Sequence, residues 1–196
     1  MKTLGVAWLI AVATTVCVGQ ELDFQAAERQ IVRLPPTAFP MLPAAIIREL
    51  QRRGCTIPQP HEVFSKTPTT DWFSKKPINV VSGHFAKPGQ VDWAVLCSVN
   101  GTSSILVFWN GSPTKPADIA RSEDKNYLQG LGGDKIGFCR GINPVGKDYI
   151  AEHYQAYGGP QPPPMDHQGI DDVFLWKASA VQYFFDGKWL KLTGSD

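Results

Sequence analysis

The chain has 196 residues, with 19 Lys and Arg against 18 Asp and Glu, so its formal net charge is +1 at pH 7. A charge balance of this kind gives no basic surplus, which excludes an obvious nucleic-acid or anionic-membrane binder. The 16 Pro and 18 Gly indicate many turns and argue against a helical bundle.

The N-terminal stretch MKTLGVAWLIAVATTVCVGQ carries one Lys followed by an apolar run and small residues. The run is shorter than the roughly 20 residues that a membrane-spanning helix needs. Residues 1–19 are therefore predicted to be a secretory signal peptide. The alternative is a lipoprotein that begins at Cys17. The expected location is secreted or periplasmic, with residues 20–196 forming one globular domain that is not inserted in a membrane.

Residues 20–60 are predicted to be a helical lead-in to this domain. The stretch QAAERQIV indicates a short helix. A second helix is predicted over residues 43–53, because Pro43 suits a first helical turn and Gly54 suits a left-handed cap.

The body of the domain, residues 78–196, consists of short runs rich in Val, Ile, Phe and Trp between Gly, Asn and Asp, which is typical of strands and tight turns. Strands are predicted in INVVSGHF, VDWAVLCSV, SSILVFW, DKIGFCRGI, DDVFLWKA, SAVQYFFDG and KWLKL. A further helix is predicted to begin at Asn143 and Pro144 and to end at Gly158. The fold class is mainly β (α+β): about six to eight strands in an antiparallel sheet or a partial propeller or barrel-like arrangement, with two peripheral helices.

Three cysteines follow the signal segment: Cys55, Cys97 and Cys139. An exported protein meets an oxidising compartment, so one disulfide and one remaining thiol are expected. Cys55 follows the predicted helix cap and Cys97 lies near the end of a predicted strand. We therefore predict that these two form the disulfide, which leaves Cys139 as the free thiol. No CxxC or CxxH pattern occurs, so no structural zinc site is expected.

Two stretches of the body repeat at a spacing of 80 residues. GQVDWAVLCSVNGTSSILVFWNG matches GIDDVFLWKASAVQYFFDG, with Asp92 over Asp172. The match predicts two related hairpins in one sheet or barrel. The stretch GHFAKPGQVDWAV resembles the FG-GAP or VCBS-like repeat, the blade unit of integrin-type β-propellers, whose typical form is GDFNGDGKPDLAV.

The resemblance implies calcium binding by acidic and amide side chains of the loop. In the first copy those positions hold other residues: His84, Ala86, Lys87 and Pro88. We therefore expect Asp92 to have a structural role, as an acceptor for exposed N–H groups of the turn. The second copy carries Asp166, Gln168 and Asp172, which are the candidate ligand or cation loop. No cofactor is expected apart from calcium at that loop.

Most of the domain also resembles an uncharacterised family of exported bacterial proteins that combine RRGCTIPQ, DWAVLCS and a terminal FFDGKWLKLTGSD. That resemblance implies no activity. The aromatic residues of the strands are expected to fill the core, with Trp189 packed inward, and a carbohydrate or peptide groove is the alternative.

No GxSxG elbow, P-loop or GxGxxG occurs in the chain. We expect an exported, non-enzymatic, β-rich binding or structural module. Its partner would be an unknown protein or glycan of the cell envelope or extracellular space. Two alternatives stay open: a secreted hydrolase with a site near Asp166, His167 and Asp172, and a calcium-stabilised structural module.

Overall fold

A computed structural model describes residues 23–66 and 77–195. Twelve strands in antiparallel sheets and three α-helices are found in these ranges, so the prediction of a mainly β fold is confirmed. The predicted signal peptide lies outside the described residues. None of the helices in the described ranges is long and apolar enough to cross a membrane.

The helices are α1 (Phe24–Arg29), α2 (Ala44–Arg52) and α3 (Lys147–Tyr157). The strands are β1 (Arg33–Leu34), β2 (Ile57–Pro58), β3 (Val80–Gly83), β4 (Asp92–Val99), β5 (Thr102–Phe108), β6 (Ala117–Glu123), β7 (Leu128–Gly130), β8 (Ile136–Phe138), β9 (Arg140–Val145), β10 (Gly169–Phe174), β11 (Ala178–Phe185) and β12 (Lys188–Thr193).

Two four-stranded antiparallel sheets carry the fold. Sheet A has the order β3-β4-β5-β6, and sheet B has the order β12-β11-β10-β9, so neighbours in the sequence are neighbours in each sheet. These eight strands fall within the predicted six to eight, but β6 was not predicted, and the predicted strand DKIGFCRGI is divided into β8 and β9 of different sheets. The remaining four strands are two or three residues long and pair as β1-β2 and β7-β8. Such short pairings carry little periodicity, and of these four strands β8 alone falls within a predicted strand.

The two repeated stretches form the hairpins β4-β5 and β10-β11, which lie in different sheets rather than in one. The two aspartates of the repeat also differ in position. Asp92 is the first residue of β4 and pairs with Gly83, whereas Asp172 lies inside β10 opposite Ile142. The repeat therefore describes similar hairpins but not equivalent side-chain positions.

The predicted helix start at Asn143 and Pro144 is wrong. Both residues lie in β9, opposite Asp171 and Ile170 of β10, and α3 begins only after Gly146. Proline is tolerated there because β9 is the last strand of its sheet and one side of the strand needs no ladder partner. The predicted end of the helix at Gly158 is confirmed, since the backbone turns there to a φ of 72°.

Helix α2 was predicted within one residue at each end, and Gly54 after it has a φ of 73°. Its apolar face, with Ile46 and Leu50, packs on one face of sheet A. The predicted disulfide is present: Cys55 and Cys97 are bonded, with their Cα atoms 5.2 Å apart, so the end of α2 is tied to β4.

The edge strands β3 and β9 of the two sheets are held together by the side chain of Asn79, the residue before β3. Its Nδ2 donates to the carbonyl oxygens of Pro58 (2.6 Å) and Arg140 (3.2 Å), and its Oδ1 accepts from the N–H of Ile142 (3.1 Å). Asn79 is completely buried. A buried amide with all of these partners fixes one sheet against the other.

Candidate functional site: a polar groove between the sheets

A buried ion pair between Arg140 of β9 and Asp172 of β10 forms the base of the best candidate site. The guanidinium Nε and Nη2 donate to the two carboxylate oxygens at 2.8 and 2.9 Å. The Arg140 side chain is fully buried and that of Asp172 is 7% exposed. A charge removed from water in this way is tolerated only because it is paired and hydrogen-bonded.

Arg140 also reaches across to sheet A. Its Nη1 donates to the backbone and hydroxyl oxygens of Ser103 at 3.3 and 2.9 Å, and Nη2 donates to the carbonyl oxygen of Ala120 at 2.6 Å. The pairing of β5 with β6 shifts register between Ser103 and Ile105, and Ala120 has a φ of 53°. This β-bulge turns the Ala120 carbonyl toward the guanidinium. Arg140 is thus a clamp between the two sheets.

Tyr127 completes the base of the site. The Cζ atom of Arg140 lies 4.5 Å from the centre of the Tyr127 ring, a cation–π distance. Burial raises the pKa of the Tyr127 phenol, and the negative charge of Asp172 raises it further. Burial lowers the pKa of Arg140, but the hydrogen bonds and charge of Asp172 outweigh it, so the net change is a rise. At neutral pH the phenol therefore stays protonated and the guanidinium charged.

A groove of about 560 Å³ opens beside this base, between β6 and one face of sheet B. We call it the inter-sheet groove; it is lined by residues 120–122, 126, 127, 172, 174, 178–180, 182 and 191. Its volume is within the range of small-ligand sites.

The sheet B wall of the groove follows from strand register. Asp172 lies opposite Ala180, and Gln182 lies opposite Lys191, so these side chains share one face of the sheet. Space remains there because Ala178 and Ala180 are small. Further along the same face, larger aromatic side chains fill the gap between the sheets.

Trp189 is one of those aromatic residues. Its ring stacks on Trp109 of the segment after β5 at 5.7 Å and meets Phe184 at 5.4 Å. Trp189 is half-buried and packs against the core between the sheets. The expectation that Trp189 packs inward is confirmed.

The predicted structural role of Asp92 is confirmed. Its Oδ2 accepts from the backbone N–H groups of Phe85 (3.1 Å) and Ala86 (2.9 Å). Its Oδ1 accepts from the N–H of Asn110 (2.8 Å) and from Nε2 of Gln90 (2.7 Å). Asp92 is fully buried, so both oxygens serve the turn.

The structure does not bring the predicted ligand or cation residues together. Asp166 is exposed, and the amide oxygen of Gln168 accepts from the N–H of His84 at 2.9 Å. Both line a small concavity, whereas Asp172 lines the inter-sheet groove and is held by its ion pair. In the described part of the chain, no group of three or more His, Cys, Asp or Glu is arranged to hold a metal ion. Calcium stabilisation remains a prediction.

His167, which sequence reasoning favoured for hydrolytic chemistry, stacks on Tyr183 with ring centres 4.5 Å apart. Its Nδ1 lies 3.1 Å from the carbonyl oxygen of Gln168, and its Nε2 lies 3.8 Å from the carboxylate of Asp166. Asp172 is not among these contacts. The hydrolase alternative also remains a prediction.

Sequence reasoning missed Arg140 and Tyr127. One signal was present: Arg140 is the charged residue in the otherwise apolar segment IGFCRGI. Arginine is rarely fully buried without a partner, so an arginine inside an apolar strand indicates a buried acceptor. The sequence does not identify that acceptor, which lies 32 residues away.

A larger cavity of about 750 Å³ lies beside α1 and is mostly apolar, with Ile31 and Phe138 in its wall. Glu62 and Pro77 also line it. These two residues flank the stretch 67–76, which the structure does not describe.

Comparison of the chain with protein-family models, with curated proteins and with solved structures finds no match. The function must therefore be inferred from the chemistry of the inter-sheet groove.

Proposed function

We propose that the protein is a non-enzymatic binding module that takes an oligosaccharide in the inter-sheet groove. The observation that carries this proposal is the lining: an open groove with an amide side chain on each wall, a serine hydroxyl on one wall and aromatic rings at one end. Hydrogen-bonding groups give a site its orientation and specificity, and aromatic rings add flat apolar surface.

The polar wall suits ligands that carry many hydroxyl groups. Asn126 and Gln182 each offer an amide that donates and accepts, and Ser122 offers a hydroxyl group. Nδ2 of Asn126 donates to the Ser122 hydroxyl at 3.2 Å, which aligns these two side chains. Sugar hydroxyl groups also donate and accept, so they match such a wall.

The aromatic end is formed by Tyr127 and Phe174, whose ring centres are 5.3 Å apart. Tyr127 is held from one side by Arg140. Because the Arg140 clamp fixes the ring and both sheets, the groove is preformed, and little conformational entropy is lost when a ligand binds.

Binding is favoured over hydrolysis by the number of carboxyl groups. Glycoside hydrolysis usually needs two carboxyl groups on either side of the scissile bond. Among the described residues that line the groove, Asp172 is the single carboxylate, and both its oxygens bind Arg140. The disulfide supports an oxidising compartment, where an exported module meets envelope or extracellular glycans.

The test is affinity electrophoresis of the folded protein in native gels that contain one soluble polysaccharide each, neutral or acidic. Ala180→Phe fills the groove, and Ala156→Phe makes the same change on the exposed side of α3, away from the groove. We expect at least one polysaccharide to retard the wild type and Ala156→Phe but not Ala180→Phe. Equal mobility of the wild type in all gels would contradict the proposal.

A further inference from the structure

We infer that the oligosaccharide is anionic and carries the carboxylate groups of uronic-acid units; this inference rests on the proposed function. The residues that line the groove include Arg121 and Lys191, which carry cationic side chains, and Asp172, which is the one carboxylate among them. The carboxylate is already neutralised by Arg140. The groove therefore presents a surplus of positive charge to a ligand.

Neither cationic side chain has a partner among the residues that the structure describes. Arg121 and Lys191 are both exposed, and neither has an ion pair or hydrogen bond to another described side chain. Two acidic residues close to Arg121 in sequence, Glu123 and Asp124, are bound elsewhere. Glu123 pairs with Lys125 at 2.8 Å, and Asp124 pairs with Arg33 at 2.7 Å.

The two cations come from different sheets. Arg121 lies on β6 of sheet A, and Lys191 lies on β12 of sheet B, so a ligand in the groove meets one from each wall. Arginine binds a carboxylate through two parallel hydrogen bonds, whereas lysine acts as a point charge. A chain with repeated carboxylates can engage both cations at once.

A polyuronate fits the remaining lining better than an acidic peptide. The rings of Tyr127 and Phe174 offer flat surface to sugar rings, and the amides of Asn126 and Gln182 offer paired donors and acceptors to ring hydroxyl groups. The carboxylates of an acidic peptide would engage Arg121 and Lys191 but would leave these groups unmatched.

The test is isothermal titration of the folded protein with oligogalacturonate and with a neutral oligodextran of equal length. We expect oligogalacturonate to bind about tenfold more tightly at low salt, as two exposed charge pairs allow, and to lose this advantage as salt is added. The double variant Arg121→Gln/Lys191→Gln should remove the preference. Lys188→Gln is the matched control, because Lys188 lies on the same strand and does not line the groove.

The outcomes separate the inference from the function on which it rests. Equal affinity for both oligosaccharides, or an unchanged preference in the double variant, overturns the inference and leaves oligosaccharide binding in place. Binding of polyglutamate as tight as that of oligogalacturonate overturns it in favour of an acidic peptide. If no oligosaccharide binds, the proposed function fails as well.

Discussion

Asp92 and Asp172 match each other in the sequence repeat, yet their environments differ. Asp92 accepts backbone and side-chain N–H groups that lie within 18 residues of it. Asp172 accepts from Arg140, which also binds Ser103 and Ala120 on the other sheet. The first aspartate closes a turn, and the second anchors the contact between sheets from which a groove opens. A repeated residue can therefore keep its type while its role changes from local to long-range.

The largest effect is expected when the cation of the long-range ion pair, Arg140, is removed. Arg140→Met leaves the buried carboxylate of Asp172 without its partner, so we expect the free energy of unfolding to fall by about 3–5 kcal/mol. The double variant Arg140→Met/Asp172→Leu removes both charges and should regain most of that loss. Urea unfolding at neutral pH measures both values. A single variant within 1 kcal/mol of the wild type would show that Asp172 does not depend on the clamp.

The disulfide gives the next largest effect and concerns sheet A alone. It closes a separation of 42 residues. The double variant Cys55→Ser/Cys97→Ser should therefore lose roughly 3–4 kcal/mol of unfolding free energy in the loop-entropy model. Reduction of the wild type should give a similar loss in denaturant unfolding. Because neither cysteine lines the groove, the folded variant should still bind oligosaccharide. A fully folded double variant that does not bind oligosaccharide would show that the inter-sheet groove depends on the disulfide.

A smaller effect is expected at the local aspartate. Four N–H donors converge on Asp92. Asp92→Asn would place an NH₂ group against some of them, so we expect a loss of about 1–3 kcal/mol. Asp118→Asn on the exposed face of β6 is the control and should change little. Thermal unfolding of the three proteins is the measurement. If Asp92→Asn melted at the same temperature as Asp118→Asn, the proposed contribution of Asp92 to stability would be contradicted.

The smallest expected effect is a pH dependence of stability, and it comes from Asp171, the neighbour of Asp172. Burial raises the pKa of the Asp171 carboxyl, although hydrogen bonds from Ser179 and Tyr149 oppose the rise. The Asp171 carboxyl therefore keeps its proton in the folded state at pH values where it is ionised in the unfolded state. Stability should fall as the pH rises from about 3.9, the ordinary value for Asp, through the raised value, and should then level off.

The check is the melting temperature of the wild type minus that of Asp171→Asn between pH 3 and 8. This difference should decrease with rising pH, since the variant lacks the titrating group. Asp186→Asn in the exposed β11-β12 turn is the control, and its difference should stay nearly flat. A difference for Asp171→Asn that rises with pH would mean that burial does not dominate at this carboxyl.

The features that the sequence predicted depend on nearby residues. The ends of α2 follow from Pro43 and Gly54, and the role of Asp92 follows from turn chemistry. The predicted start of α3 was wrong. Asn143 and Pro144 match a helix start locally, but their pairing with β10 outweighed that preference.

The inter-sheet groove was not predictable in the same way. Its clamp joins Arg140 to Asp172 and Ser103 over 32 and 37 residues, and its carbonyl contact depends on a bulge at Ala120. No pattern in a single sequence predicts contacts over such separations or the position of this bulge. The small residues Ala178 and Ala180 make space only because of what faces them across the sheets.

The most direct test of the inter-sheet groove as the binding site is NMR titration of the ¹⁵N-labelled protein with oligogalacturonate. We predict that the amide signals of Ser122, Ala180 and Lys191 shift in a saturable way, because these residues line both walls of the groove. The signals of residues 84–92, the turn closed by Asp92, should stay in place. Saturable shifts confined to that turn, or an absence of shifts at Ser122, Ala180 and Lys191, would contradict the assignment of the groove.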